Sequence, residues 1–271
     1  KLYKPIQMKK QNSLVSILVI NFNNAKLITR AINSCLSQSY KRIEILIFDD
    51  KSTDKSKKVL MNLKKNEKIK VFFNKNKKKG VPALDAMNGY NKLFDKSKGE
   101  IICLLDSDDY FDKLKVQKIV NEFKKKKNIE FIQNLPSIKN GKKIKKKKNK
   151  NNPLSFWPYL APESCITFRR NLMIKFKKIN HKFKNKFPDI WFGFRLGVYA
   201  YFYKKKFYTL NENLTFYESL GESKKYSFFG KNWIFRRKES FEYLKKILKR
   251  SKDLNKNLDY LMTNIILNLY K

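Results

Sequence analysis

A single histidine, His181, stands in the 271-residue chain, too few for a histidine-built metal centre or a Ser-His-Asp triad. Its neighbours are basic and polar, so a surface place is expected for it. The three cysteines, Cys35, Cys103 and Cys165, are an odd, widely spaced set. They fit neither a disulfide framework nor a zinc site, and a reducing compartment is expected. Arginine is scarce, eight of 63 basic residues, whereas nucleic-acid readers use it freely to grip guanine and phosphate. No specific nucleic-acid partner is therefore expected. No run of about 18 apolar residues occurs, so no membrane span is expected. No secretory signal is visible; residues 1–13 read as a polar, basic tail in which Met8 is a candidate start.

What is abundant is lysine. The formal charge is +40, and lysine arrives with much Asn, Ile, Phe and Tyr. Most of this charge reads as solvated surface; the rest attracts anionic lipid surfaces or phosphorylated substrates at long range.

Against that background one acidic stretch stands out. The apolar run Ile101-Ile102-Cys103-Leu104-Leu105 stops at Asp106-Ser107-Asp108-Asp109. Such a run reads as a strand buried on both faces of a parallel sheet, and ligands of such sheets sit at the strands' carboxyl ends. Clustered carboxylates repel unless a cation neutralises them. Hard oxygen ligands at this spacing suit Mg²⁺ or Mn²⁺, which in turn hold a diphosphate. The alternative is an acidic turn that caps the next helix.

The pattern before this stretch repeats. Val15–Ile20 is a strand ending in Asn21-Phe22-Asn23-Asn24, and Leu27, Ile28, Ala31, Ile32, Cys35 and Leu36 recur at helical spacing. Ile43–Phe48 is a second strand, ending in Asp49-Asp50. A helix from about Ser52 to Lys65, a strand Ile69–Phe73, a lysine-rich loop and a helix Val81–Asp95 follow. This alternation predicts an α/β fold with a parallel sheet, right-handed crossovers and helices on both faces. Two strands then bring acidic ends to one crevice.

Beyond Phe111 the signal weakens. Leu114–Phe123 is read as a helix, and the basic run 142–150 as an exposed, mobile loop. From 156 to 229 aromatics crowd, among them Trp157, Trp191, Phe192 and Phe194, as core or as a platform for flat sugar faces. The last forty residues form two amphipathic helices. Trp233, Ile234, Phe241, Leu244, Ile247 and Leu248 share one apolar face, opposite arginines and lysines. Leu254, Leu258, Leu261, Met262, Ile265, Ile266 and Leu269 form a second stripe, expected to pack onto the main domain. The other place for such helices is an anionic membrane surface.

Three segments, in order, resemble the family 2 glycosyltransferases of GT-A fold. Val15–Asn23 resembles the family's opening strand, Ile45–Asp54 its second-strand signature, and Gly99–Asp109 the segment with its Asp-x-Asp motif. The resemblance implies a Rossmann-like, mostly parallel sheet flanked by helices, and a hexosyltransferase-type, inverting transfer from a nucleotide diphosphate sugar. It implies nucleotide-sugar contacts at Ile20, Phe22, Asn23, Asp49 or Asp50, Asn88, Asp106 and Ser107. It also implies a Mn²⁺ or Mg²⁺ ion at Asp106 and Asp108.

Direct displacement needs a carboxylate to take the acceptor's proton. In the family a Glu-Asp pair supplies it. Between 131 and 230 the only acids are Glu163, Asp189, Glu212, Glu218 and Glu222. Phe187-Pro188-Asp189-Ile190-Trp191 matches best, which makes Asp189 the expected base, with Pro188 where the family has Glu and Glu163 in reserve. Asp189 read without the family is a helix cap before Trp191. Two more departures stand: Met87 precedes Asn88 where many relatives have Arg, and Tyr217–Ser223 lacks the usual His, leaving Lys224 or Lys225 as replacements.

The expected division is 1–13 as tail, 14–112 as nucleotide-sugar half, 113–230 as acceptor half and 231–271 as helical appendage. The expected partners are the nucleotide diphosphate sugar, a glycan or lipid-linked acceptor of the cell envelope, and a membrane met peripherally through the C-terminal helices. A cytoplasmic enzyme, attached at most to the inner face of the membrane, is the expectation. Two rivals differ in chemistry. A haloacid-dehalogenase-like phosphatase also ends a strand in Asp-x-Asp, but normally its first strand, and with Thr or Val where Tyr110 stands. A basic binding protein would need no carboxylates at all.

Overall fold

The central strands are apolar on both faces because each face has its own helical layer. The computed structural model describes residues 12–76, 79–141, 143–149, 155–183, 185–218, 230–248 and 252–270. Strands β1 (Val15–Asn21), β2 (Ile43–Asp49), β3 (Ile69–Phe73) and β4 (Ile101–Asp106) lie in the order β3-β2-β1-β4, all parallel. Helices α1 (Ile28–Leu36), α2 (Ser56–Leu63) and α3 (Pro82–Lys96) make the crossovers. Strand side chains alternate between faces. Val15, Ile17 and Val19, with Ile45, Ile47, Cys103 and Leu105, enter one core with α1 and α4 (Lys115–Lys125). Leu18, Leu46, Phe48, Ile102 and Leu104 enter the other with α3 and α5 (Arg170–Asn180). The three cysteines are free and buried, and His181 is exposed.

One glycine is required by close approach. A Cβ at Gly99 would lie 2.4 Å from Ser16 Oγ and 2.5 Å from Ser16 N. Gly99 N–H instead donates to Ser16 Oγ at 2.8 Å, which donates to Glu44 at 2.7 Å, satisfying the buried start of the sheet.

The same sheet continues through the second half. Strands β5 (Tyr110–Phe111), β6 (Phe131–Asn140), β7 (Lys143–Lys146), β8 (Ile166–Arg169) and β9 (Phe207–Glu218) extend it as β4-β8-β6-β9-β5, with β7 on β6. β8 runs antiparallel to β4 and β6, and β6 pairs β9 in parallel. The boundary expected at 112/113 thus falls inside one sheet. Helices α6 (Phe192–Val198), α7 (Lys231–Leu248), α8 (Lys252–Asn255) and α9 (Leu258–Asn268) complete the described elements used below. None of the described helices is long and apolar enough to cross a membrane.

Two expectations are corrected. The run 142–150 is not all loop: Lys143–Lys146 pairs antiparallel with β6 as β7, every residue exposed. The turn signal was Asn140-Gly141, with Gly141 at φ +59°. A ladder needs only backbone groups, and lysines on an edge strand discourage further pairing. The second correction concerns α9. Most of the expected apolar stripe does not pack: Leu258, Leu261, Met262, Ile265 and, just past the helix, Leu269 are exposed, Leu269 by 80%, whereas Leu254 is buried as expected and Ile266 is half-buried. Polar anchors set the rotation of the helix. Asp259 accepts from Phe156 N at 2.9 Å and pairs with Arg237, which also donates to Thr263 Oγ1 at 3.1 Å. Those bonds turn Thr263 and Leu267 inward and the stripe outward.

In the aromatic segment Phe156, Trp157 and Phe202 pack against one another and against Phe241 of α7 through stacked, tilted and edge-on ring contacts, whereas Trp191 and Phe194 line the cleft described next.

Candidate active site

Three parallel strands end side by side, and Ile20, Asp50 and Asp106 at or next to their ends line a cleft of about 800 Å³. Asn21 of β1 lies beside Asp49 of β2, and Ile20 beside Asp106 of β4. Of the residues expected at the site, Ile20, Phe22, Asp50, Asp106, Ser107 and Asp108 line this cleft. Asp49, Asn23, Asn88 and Asp189 do not.

Asp49 and Asn23 build the loops behind it. Asp49 is buried, accepting from Asn21 Nδ2 at 2.7 Å and from Ser52 Oγ at 2.6 Å and N at 3.1 Å. Asn23, at φ +52°, accepts from Thr53 N at 2.7 Å and so ties the β1 loop to the β2 loop. Asp50 faces the cleft and accepts from Asn74 Nδ2 at 2.6 Å. Asn88 is half-buried on α3, beside Met87, whose side chain belongs to the core. The neighbouring turn contributes Asp85, which accepts from Lys79 N and Gly80 N at 2.8 and 3.1 Å.

The acidic motif is held from beneath. Asp106 accepts from Tyr90 OH at 2.8 Å, and its N–H donates to Ser164 Oγ at 3.0 Å. Burial and the Asp108 charge push the Asp106 carboxyl up to about 7, against the Tyr90 hydrogen bond. Burial and then Glu218 raise Asp108. Asp109 turns inward to accept from Glu218 N at 2.9 Å, and burial raises it strongly. Arg30 donates to the Asp108 carbonyl at 2.6 Å and to Glu218 at 2.7 Å. A buried lysine, Lys115, braces the turn that carries Ser164: it donates to the Ser164 carbonyl and to Thr215 Oγ1. Burial lowers Lys115 to about 8.

These groups fit a hard divalent cation in donor type. Asp106 and Asp108 both line the cleft, and their carboxyls are raised by burial and by neighbouring negative charge, which a cation would relieve. Among the described residues no group of three or more His, Cys, Asp or Glu is placed to hold a metal ion by itself.

The two candidate bases differ in setting. Glu163 lines the cleft and is 8% exposed; Oε1 accepts from Gly193 N at 2.6 Å. Its Oε2 is buried without a hydrogen-bond partner among the described residues. Burial and then Asp106 raise its carboxyl from 4.5 to about 8. Asp189 is half-buried in the loop before α6; its N–H donates to Glu239 at 2.9 Å and its carbonyl accepts from Arg236 Nε at 3.0 Å. Burial lifts Glu239 to about 7. Lys224 and Lys225 lie outside the described residues.

The raised Glu163 has a measurable consequence. The folded chain keeps a proton that the unfolded chain releases near 4.5, so this group's contribution to stability is lost as pH rises towards about 8. Glu163→Gln is expected to flatten the stability curve over that window in thermal melts. An unchanged slope would move the effect to another group.

Sequence reasoning missed Arg236, Asp85 and Tyr217, all of which line the cleft. No local pattern marks them: Arg236 belongs to α7, far along the chain from the acidic motif.

The family described as Glycosyl transferase family 2 matches residues 16–205. An uncharacterized glycosyltransferase of Nostoc sp. is 30% identical over 224 residues, 76% of this chain and 65% of that protein. The GalNAc(5)-diNAcBac-PP-undecaprenol beta-1,3-glucosyltransferase of Campylobacter jejuni is 40% identical over 96 residues, 35% of this chain and 29% of that one. The chain thus spans less than two thirds of the length of these relatives. Residues 1-349 of S. aureus TarS in complex with UDP superpose with a TM-score of 0.62 at 17% identity, covering 94% of this chain and 69% of that one. A Pyrobaculum calidifontis mannosyltransferase in complex with GDP-Man and Mn²⁺ gives 0.56 at 12% identity, covering 89% and 66%. With a parallel sheet whose acidic strand ends meet in one cleft, and a family match across that sheet, the chain belongs to glycosyl transferase family 2 and has the GT-A fold.

Proposed function

We propose that the cleft binds a nucleoside diphosphate sugar and that the enzyme passes the sugar, with inversion, to a hydroxyl of a glycan or lipid-linked acceptor. The observation that carries this reading is the placing of Asp50, Asp106 and Asp108 on one cleft at the ends of parallel strands. Asp50 takes the base or ribose, and Ile20, Phe22 and Ser107 line the same cleft. Asp49 supports Asp50 from behind through its bonds to Asn21 and Ser52. Asp106 and Asp108 would hold Mn²⁺ or Mg²⁺, which when bound offsets the charge that grows on the departing diphosphate.

Asp189 is the proposed general base. Trp191, two residues on, walls the cleft, so the loop carrying Asp189 borders it. Glu163 is less suited, because burial and the neighbouring Asp106 raise its carboxyl and favour the protonated form, whereas a base must be ionised. The reading is tested by thermal shift with a panel of nucleoside diphosphates and their sugars, with and without Mn²⁺. A metal-dependent rise for one nucleotide supports it and names the donor class. No shift with any of them would favour a binding protein with a degenerate site.

The acceptor named for the Campylobacter relative is linked to undecaprenol diphosphate. A lipid-linked acceptor suits a chain of +40 charge whose α9 presents Leu261, Ile265 and Leu269 to solvent. We place the enzyme peripherally on the cytoplasmic face of a membrane, with α9 against the lipid. Leu261→Glu with Ile265→Glu is expected to abolish cosedimentation with phosphatidylcholine–phosphatidylglycerol vesicles at high salt, without lowering the melting temperature. If the unaltered protein stays in the supernatant, the membrane placement is wrong.

A further inference from the structure

The cleft is acidic in a very basic protein. Asp50, Asp85, Asp106, Asp108 and Glu163 line it, and among the described lining residues the one cation is Arg236. Carboxylates repel a diphosphate, so a cleft that binds one needs positive charge supplied by bound metal or by the chain. We propose that Arg236 binds the diphosphate of the donor and of the departing product, which makes the C-terminal helical unit a part of the donor site. The proposal rests on the transferase reading and extends it to a segment outside the matched span of residues 16–205.

Three observations support this assignment. First, Arg236 lies on the cleft wall with the carboxylates expected to hold the metal, and its charge is felt by Glu163. Second, the arginine is fixed from its own helix. α7 buries Ile234, Phe241 and Leu244 in the core, and Arg236 Nε donates to the Asp189 carbonyl at 3.0 Å. The next residue, Arg237, points the other way, pairing with Asp259 of α9 and lying 5.0 Å from the Trp233 ring centroid. Consecutive arginines therefore tie α7 to the cleft on one side and to α9 on the other. Third, a guanidinium group is well matched to a diphosphate, because it stays charged at any working pH and offers a planar fork of donors to phosphate oxygens.

The bond from Arg236 to the Asp189 carbonyl permits a merely structural role, and the experiment separates the two. Calorimetry would compare the nucleoside diphosphate that best stabilises the unaltered protein with the corresponding monophosphate, both in Mg²⁺ buffer. For Arg236→Ala the expected result is about 10- to 100-fold weaker diphosphate binding, the usual effect of losing a charge-assisted phosphate contact. Monophosphate binding should change by less than about 3-fold. Arg236→Lys, which keeps the charge and loses the fork, should fall between, and it serves as the second variant if Arg236→Ala does not fold. Equal weakening of both ligands, or no weakening of either, overturns the proposal and leaves the transferase reading standing. An unaltered protein that binds no nucleoside diphosphate overturns the transferase reading as well.

Discussion

Asp108→Asn is expected to abolish metal-dependent sugar transfer, by about 10³-fold or more, while the metal-free protein melts at the same temperature or higher. Both parts follow from the same charges. Burial and Glu218 already raise the Asp108 carboxyl, and its charge in turn raises Asp106 and Asp109. An amide at this position removes the repulsion and keeps the shape. The bond that Arg30 makes is to the Asp108 carbonyl, a backbone atom, so it survives the change. Acidic sites of this kind trade stability for binding. The check is a pair of melts with and without Mn²⁺, alongside a transfer assay. Full activity and an unchanged response to Mn²⁺ in the variant would remove Asp108 from the metal site.

Asp189→Asn is expected to lose about 10²- to 10⁴-fold in kcat, the usual weight of a general base, with little change in donor binding. The amide retains the backbone ties of residue 189 to Glu239 and Arg236. Glu163→Gln preserves an oxygen for Gly193 N–H and is expected to cost less than about 10-fold. The two variants are compared by kcat and by KM for the donor. A larger kcat loss in Glu163→Gln than in Asp189→Asn would exchange the two roles and make the buried carboxyl the base.

The first four strands and their helices could be read because their signals are local. Ile45, Leu46, Ile47 and Phe48 are apolar in sequence, and the sheet uses that by sending Ile45 and Ile47 to one core and Leu46 and Phe48 to the other. Asp50, Asp106 and Asp108 could be placed at one cleft because a parallel sheet gathers its strand ends, whereas Ile20, Phe22 and Ser107 came from the family resemblance alone. β6, β8 and β9 were not legible. β6 and β9 pair across more than sixty positions with register shifts near Asn134 and Pro136, and no neighbour in sequence announces that partner. The lysines of β7 hid a strand, since lysine-rich composition reads as loop while an edge ladder needs only backbone.

The sequence by itself determined the parallel core and the positions of its acidic strand ends. Apolar runs, helical spacing and chain order suffice for both. Only the tertiary structure decided which member of Asp49-Asp50 faces the cleft, since a one-residue step along a strand changes its direction. It alone brought Glu163 beside Asp106, Arg236 onto the cleft wall and the apolar stripe of α9 out to solvent. Each of these depends on contacts between residues far apart in the chain, whose pairing is settled by packing and by buried hydrogen bonds rather than by any local pattern.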